Sequence, residues 1–312
     1  MEKTIAVVGA GLIGRAWAMV FARAGWRVRL TDSEPEQLER ALAFIAASLG
    51  EQVEFGLVAD AAATLARIEA VADIEAAVAP AGWVQENLPE AVELKREIFA
   101  TLDRCARPGA VLASSTSAIP ASRFTERLAG RSRCLVAHPV NPPHLVPIVE
   151  LCGAPWTAPA TIEQAKQVFA SVGQVPVLVR RELDGFILNR LQGALLSEAM
   201  RLVGEGYVSA DDLDKTMRDG LGLRWAFLGP LATIELNAPG GVPDYCARYG
   251  DFLRRLAGDP AGPAVWETGN AARVADALVA RRSSGDREAG MRWRDRRLMA
   301  LIAHKRTQTD LE

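Results

Sequence analysis

The chain of 312 residues is poor in histidine, cysteine and tyrosine, with three, four and three of each. Cys105, Cys134, Cys152 and Cys246 make no C-x-x-C pair. That spacing excludes a disulfide framework or a zinc ribbon, points to free thiols of a reducing compartment, and leaves no metal to expect. No apolar run reaches the roughly 18 residues that a membrane span needs. A net charge of −2 and a pI near 6.1 supply no basic face for nucleic acid. Met1-Glu-Lys-Thr4 leads straight into an apolar run broken by glycines and Arg15, unlike a secretory leader, so a cytoplasmic location is expected. Internal repeats and low-complexity segments are also lacking. What remains is an ordinary globular composition in a chain long enough for two domains.

The N-terminal segment carries the most specific local pattern. Thr4 to Val8 reads as a buried parallel strand, and Gly9-Ala-Gly11-Leu-Ile-Gly14 follows at once. Ile13, Ala16, Trp17, Val20 and Phe21 then recur at helical spacing, Gly25 ends the helix, and Trp26 to Leu30 is a second strand leading to Asp32. Gly9 permits a tight turn, Gly11 lets backbone approach a pyrophosphate at the helix N-terminus, and Gly14 lets helix and strand pack closely, with Leu12 and Ile13 between them. Asp32 stands where a carboxylate binds ribose hydroxyls, which favours NAD. Arg27 and Arg29 keep a 2′-phosphate, and hence NADP, open. Strand, glycine turn, helix, second strand and acidic end together are the context that makes G-x-G-x-x-G informative.

Further strands are expected at Trp83 to Gln85, Ala110 to Ala113, Cys134 to Ala137, Leu145 to Leu151 and Val175 to Val179, the Leu145 strand at an edge because of Pro147. Helices are expected at Pro35 to Leu49, Ala59 to Ala70, Pro89 to Arg104 and Thr161 to Val172. Glu86, Ser117 and His138 fall at strand ends, where ligands of open α/β sheets bind. His138 closes its strand. Glu150 sits in an otherwise apolar run, where a buried carboxylate needs a partner, and His138 is the simplest one. An imidazole oriented by a carboxylate is the arrangement of a general base.

From Phe186 onward the periodicity is mainly helical. Leu188, Leu191, Leu195, Ala199 and Leu202 form one stripe, and Gly220 to Pro230 is loop-like. Helices follow around Tyr245 to Leu256, Ala264 to Ala280 and Glu288 to Lys305, separated by loops that include Ser283 to Asp286. Trp225, Trp266 and Trp293 read as buried anchors. The expected architecture is an α/β N-terminal Rossmann-type dinucleotide-binding domain over residues 1–183, then an all-α C-terminal domain over 184–312.

Several motifs together carry a family resemblance. Gly9-Ala-Gly-Leu-Ile-Gly-Arg-Ala-Trp-Ala-Met19, Ser114-Ser-Thr-Ser-Ala118, Ala137-His-Pro-Val-Asn-Pro-Pro143, Gly185-Phe-Ile-Leu-Asn-Arg-Leu-Gln192, Gly222-Leu-Arg-Trp-Ala-Phe-Leu-Gly-Pro230 and Trp293-Arg-Asp295 occur in order through nearly the whole length. The chain resembles the L-3-hydroxyacyl-CoA dehydrogenase superfamily, closest to its lambda-crystallin branch, whose enzyme is L-gulonate 3-dehydrogenase. The resemblance implies His138 as catalytic base, Glu150 as its partner, and Ser117 and Asn189 as substrate-binding residues. It implies Glu86, Lys95, Ser117 and Asn141 on the cofactor side, NAD as cofactor, and a homodimer formed through the helical domain. Pro-Val-Asn-Pro-Pro after His138 and Arg224-Trp225 before Gly229-Pro230 depart from the acyl-CoA enzymes, and His144 stands where this branch can carry a tyrosine.

Arg224 adds an expectation from chemistry alone, since a guanidinium grips a free carboxylate bidentately and an acyl-CoA thioester has none. The reading is NAD-dependent oxidation of a small L-3-hydroxy acid, L-gulonate first. A short-chain L-3-hydroxyacyl-CoA dehydrogenase, a carnitine 3-dehydrogenase and a non-catalytic crystallin-like protein stand as alternatives.

Overall fold

Every residue of Thr4–Val8 is buried, as expected of a central parallel strand covered on both faces. In the computed structural model, which describes residues 3–279 and 287–308, this strand, β1, is followed by helix α1 (Leu12–Arg23), β2 (Arg27–Thr31) and helix α2 (Pro35–Glu54). Then come β3 (Ile68–Ala70), β4 (Trp83–Glu86), β5 (Val111–Ser114), β6 (Cys134–Pro139), β7 (Ile148–Gly153) and β8 (Val175–Val179). The eight strands form one sheet in the order β3-β2-β1-β4-β5-β6-β7-β8. All neighbours are parallel except β6 and β7. The order reverses between β2 and β4 around β1, which opens the crevice that Rossmann-type sheets use for ligands.

The expected helix at Ala59 to Ala70 is shorter, Ala61–Leu65, and the chain then forms β3. A parallel neighbour, β2, supplies a ladder that local propensity does not report. Nor is β7 an edge strand, because it pairs with β6 on one side and β8 on the other. Pro147 lies just before its first residue, so its missing N–H breaks no rung.

The described residues divide into two compact units, one running to Asn189 and taking in the segment from Arg287 onward, the other beginning at Arg190. The first unit thus differs from the expected segment 1–183: it extends to Asn189 and takes in the C-terminal helix Arg287–Lys305. The reason is apolar. Met299 is buried with Leu57 and Leu145, and Phe55, Leu298 and Ile302 pack around them. Arg292 and Arg296 face Glu51 and Glu54 of α2 at 3.6 and 2.9 Å, and Arg296 also lies over the Phe55 ring. Met299→Ala is expected to lower unfolding stability by about 2–5 kcal/mol, read from the denaturant midpoint, because the contact cannot close over the void.

The second unit is helical, with Gly241–Ala257 and Thr268–Val279 among its longer elements. Gly220 to Pro230, expected as loop, begins inside a π-helical turn at Thr216–Leu221 and contains a short helix at Gly222–Trp225. The expected stripe of Leu188–Gly204 has no buried residue, and Trp225, Trp266 and Trp293 are exposed rather than buried anchors. The expected loop at Ser283 to Asp286 lies outside the described residues. No helix among the described residues is long and apolar enough to cross a membrane.

Candidate active site

The glycine turn has the geometry its sequence implies. Gly9 takes φ +89°, a left-handed conformation that favours glycine. A Cβ on Gly14 would stand 1.7 Å from the Gly9 carbonyl oxygen, whereas one on Gly11 would meet nothing within 4 Å. The turn is therefore closed against its own strand at Gly14 and open at Gly11, where α1 begins. Asp32 accepts the Ala10 N–H at 2.7 Å and the Glu34 N–H at 3.1 Å, and Gln37 Nε2 donates to the Ala10 carbonyl at 3.0 Å. A carboxylate has lone pairs beyond those two bonds, so Asp32 retains acceptors for ribose hydroxyls. Arg29 is taken by Glu69 at 2.7 Å. These residues fit a dinucleotide. Gly14→Ala is expected to weaken dinucleotide binding by about 10- to 100-fold in a fluorescence titration, since overpacking of this kind costs about 1–3 kcal/mol.

His138 and Glu150 are direct partners across the antiparallel β6–β7 ladder. Side chains opposite one another share a face at about 5 Å, which is hydrogen-bond reach for this pair. His138 Nδ1 lies 2.8 Å from Glu150 Oε2, with the two residues 5% and 2% exposed. The other carboxylate oxygen, Oε1, accepts the N–H groups of Ile187 and Leu188 at 2.8 and 2.9 Å, at the start of the helix Leu188–Gly204. Gly185 and Phe186 both take positive φ, +76° and +47°, to aim those amides. The strain at Phe186 is held by complete burial of its side chain, whose ring lies 5.6 Å from that of His138. Burial pushes the Glu150 carboxyl up, but the bonds from His138, Leu188 and Ile187 outweigh it and leave it below its ordinary range.

Asn189 follows directly and donates through Nδ2 to the Ser117 carbonyl at 2.9 Å. Ser117 in turn meets Glu90, a residue that motif reading passes over as an ordinary acid at a helix start. Glu90 accepts the Ser117 N–H, the Ser117 hydroxyl at 2.8 Å and the Thr116 hydroxyl at 2.6 Å. Partial burial raises its carboxyl, and these bonds together with the Lys95 charge bring it below the ordinary range. A continuous chain of contacts thus runs from His138 through Glu150, the Ile187 and Leu188 amides, Asn189 and Ser117 to Glu90. The only sequence signal for Glu90 is its place one residue after Pro89, which does not specify a partner.

The expectation for Ser117 changes in one respect, because its hydroxyl hydrogen goes to Glu90 and its lone pairs are what remain for a ligand. Glu86 and Lys95, expected to face the cofactor, turn inward. Both are fully buried, with Lys95 Nζ 3.0 Å from each Glu86 oxygen and Ser114 Oγ donating to Glu86 at 2.5 Å. Glu86 also accepts the Leu88 N–H, so the pair holds the turn that carries Glu90. Two charges this far from water persist only when paired, which is why they close on each other. Asn141 is exposed in the turn between β6 and β7, Leu12 is exposed, and Ile13 packs against the core. Arg224 belongs to the second unit and is exposed. Among the described residues no group of His, Cys, Asp or Glu side chains has the arrangement to hold a metal ion.

The NAD-binding domain model of 3-hydroxyacyl-CoA dehydrogenase matches residues 4–183, and the C-terminal domain model of the same family matches residues 185–275. A lambda-crystallin homolog of Bos taurus is 46% identical over 96% of this chain and 95% of its own length. An L-carnitine dehydrogenase of Streptomyces griseus is 38% identical over 80% of this chain and 75% of its own. Among solved structures, 5-formyl-3-hydroxy-2-methylpyridine 4-carboxylic acid 5-dehydrogenase, described as an NAD+ dependent dismutase, superposes with a TM-score of 0.84 at 27% identity, covering 99% of this chain and 100% of that one. The chain belongs to the 3-hydroxyacyl-CoA dehydrogenase family of NAD-dependent oxidoreductases, with the family's NAD-binding domain in its first unit.

Proposed function

We propose that this protein oxidises the 3-hydroxyl of a small L-3-hydroxy acid, L-gulonate first, to the 3-keto acid. The observation that carries the reading is the His138–Glu150 pair, locked by two helix-start amides. Oxidation of a secondary alcohol removes a proton from oxygen and a hydride from carbon. NAD supplies the hydride acceptor. With Nδ1–H directed at Glu150, His138 presents Nε2 as the base for the hydroxyl proton, and the carboxylate stabilises the imidazolium that forms. The second N–H of the Asn189 amide donates to the substrate oxygen, and Ser117 offers lone pairs to a substrate hydroxyl. The products are ketone, NADH and a proton.

Arg224, an exposed guanidinium on the helix Gly222–Trp225, supports a free acid over a CoA ester, because only the acid offers a carboxylate to grip. Arg224→Met is expected to raise KM for a 3-hydroxy acid by at least about tenfold and to leave a neutral alcohol unaffected. An unchanged KM removes that role. Carnitine is the second reading, favoured by relatives named L-carnitine dehydrogenase. NADH formation with gulonate, 3-hydroxybutyrate, carnitine and 3-hydroxybutyryl-CoA separates the readings. Turnover of the CoA ester alone would replace the free-acid assignment, and no turnover of any would leave a crystallin-like binding protein.

The same proposal includes a homodimer. Along Gly241–Ala257, Tyr249, Phe252, Leu253 and Leu256 lie on one helical face, each 41–55% exposed, which suits contact with a second copy. The four free cysteines suit a cytoplasmic setting.

A further inference from the structure

Beside the glycine turn lies a hydrogen-bonded cluster that the chemistry at His138 does not use. Asn87, the residue after β4, is its centre. Its backbone N–H and its side-chain Nδ2 both donate to the Val8 carbonyl, at 2.8 and 3.1 Å. Nδ2 donates also to the Gln85 carbonyl at 2.9 Å. The Gly9 N–H donates to the Thr31 carbonyl of β2 at 2.8 Å. The Val8–Gly9 peptide, where the turn begins, is therefore held on both sides. The fit is also close. A Cβ on Gly9 would stand 3.1 Å from the Asn87 carbonyl oxygen, and one on Gly14 would stand 3.4 Å from Asn87 Nδ2.

The donors and acceptors of this cluster have one consistent assignment. Two carbonyls face one end of the Asn87 amide, so that end is the NH₂ group and the other is the oxygen. Asn87 Oδ1 then takes the Ser115 hydroxyl hydrogen at 2.7 Å. The Ser115 oxygen, just past β5, accepts from Trp17 Nε1 at 3.0 Å and from Gln85 Nε2 at 2.8 Å, which fills both its lone pairs. Gln85 Oε1 accepts from Trp83 Nε1 at 3.0 Å. Trp17, Trp83 and Gln85 are fully buried, so losing these partners would leave their polar groups unmatched. Trp17 belongs to α1, the helix that leaves the glycine turn. Asn87 grips the entry of the turn, Ser115 grips the helix at its exit, and one hydrogen bond joins the two.

We propose that Asn87 and Ser115 are positioning residues for the cofactor, which hold the glycine turn and α1 in the spacing that a dinucleotide requires. The test needs no hydroxy acid, only NADH fluorescence titration and thermal melts on the same variants. Asn87→Ala and Ser115→Ala are each expected to weaken NADH binding by at least about tenfold. Both positions are partly exposed, so water can enter and the variants fold. The double variant is expected within about twofold of the weaker single variant, because the two changes cut the same chain of bonds. Ser115→Thr keeps the hydroxyl and is expected to bind NADH within about threefold of the parent. Asp103→Ala is the control for stability alone. Asp103 accepts from Arg133 at 2.8 Å and from the Gly130 N–H at 3.0 Å, near the N-terminal ends of β5 and β6. Its loss is expected to lower the melting temperature and leave NADH affinity within about twofold of the parent. Three outcomes overturn the proposal: parent-like NADH affinity in both folded alanine variants, Ser115→Thr as weak as Ser115→Ala, or an equal loss in Asp103→Ala. The first removes the cluster from cofactor binding, the second removes the hydroxyl from its role, and the third makes the loss a general consequence of instability.

Discussion

His138→Gln is expected to lower kcat by about 10²- to 10⁴-fold while NADH affinity stays within about twofold of the parent. Glutamine keeps much of the volume of the ring and can still donate to Glu150 Oε2, so the buried contact survives. What disappears is a group able to take the hydroxyl proton. An amide nitrogen is not a base near neutral pH, and water would have to carry the proton from an unpositioned start. Initial rates of NADH formation against substrate measure kcat, and fluorescence titration measures cofactor binding. A variant with normal turnover would show that the proton leaves by another route and would remove His138 from the mechanism.

The second large effect belongs to Glu150→Gln. The carboxylate accepts on both oxygens, from His138 on one and from Ile187 and Leu188 on the other. A glutamine has one oxygen and one NH₂, so it can satisfy only one side. If the oxygen stays with the amides, its NH₂ faces His138 Nδ1, and the imidazole must adopt the tautomer with the proton on Nε2. That tautomer cannot accept the substrate proton. If the oxygen turns to His138, two buried N–H groups lose their acceptor. The expected result is a fall in kcat of about 10²- to 10⁴-fold by the first route, or a stability loss of about 1–3 kcal/mol per orphaned group by the second. Thermal melts and kinetics on the same variant distinguish the two, and a variant normal in both would refute the double role of this carboxylate.

The same contacts set an acid limit. The folded-state values of Glu150 and Glu90 lie below the ordinary 4.5. Their contribution to stability is therefore fully present above that pH and is lost as pH falls through the lower folded values. The melting temperature of the parent should drop below about pH 4.5, and Glu150→Gln should flatten part of that slope.

Much of this site is legible in the amino-acid order because its signals are local. The glycine turn needs φ and contact properties that only glycine has, and Asp32 stands at a strand end that its own apolar run defines. His138 and Glu150 are on consecutive strands joined by a short turn, so their pairing follows once that turn is recognised. Local pattern was less informative where a long-range partner decides the outcome. Local pattern predicts helix through Ala70 because Ile68–Ala70 is short, and only β2 alongside makes it a strand. The resemblance implies Glu86 and Lys95 on the cofactor side, and in the fold both are fully buried and paired with each other.

The Rossmann-type sheet, the dinucleotide turn and the pairing of His138 with Glu150 follow from periodicity, glycine geometry and residue type over short spans. Folding in three dimensions brings the helix-start amides of Ile187 and Leu188 onto the free side of Glu150. It also gives Glu90 the Ser117 hydroxyl hydrogen and returns the helix Arg287–Lys305 to pack Met299 beside Leu145. The physical reason is the same in each case. A buried polar or apolar group must find a partner, and the order of residues states the need without naming which distant group will meet it.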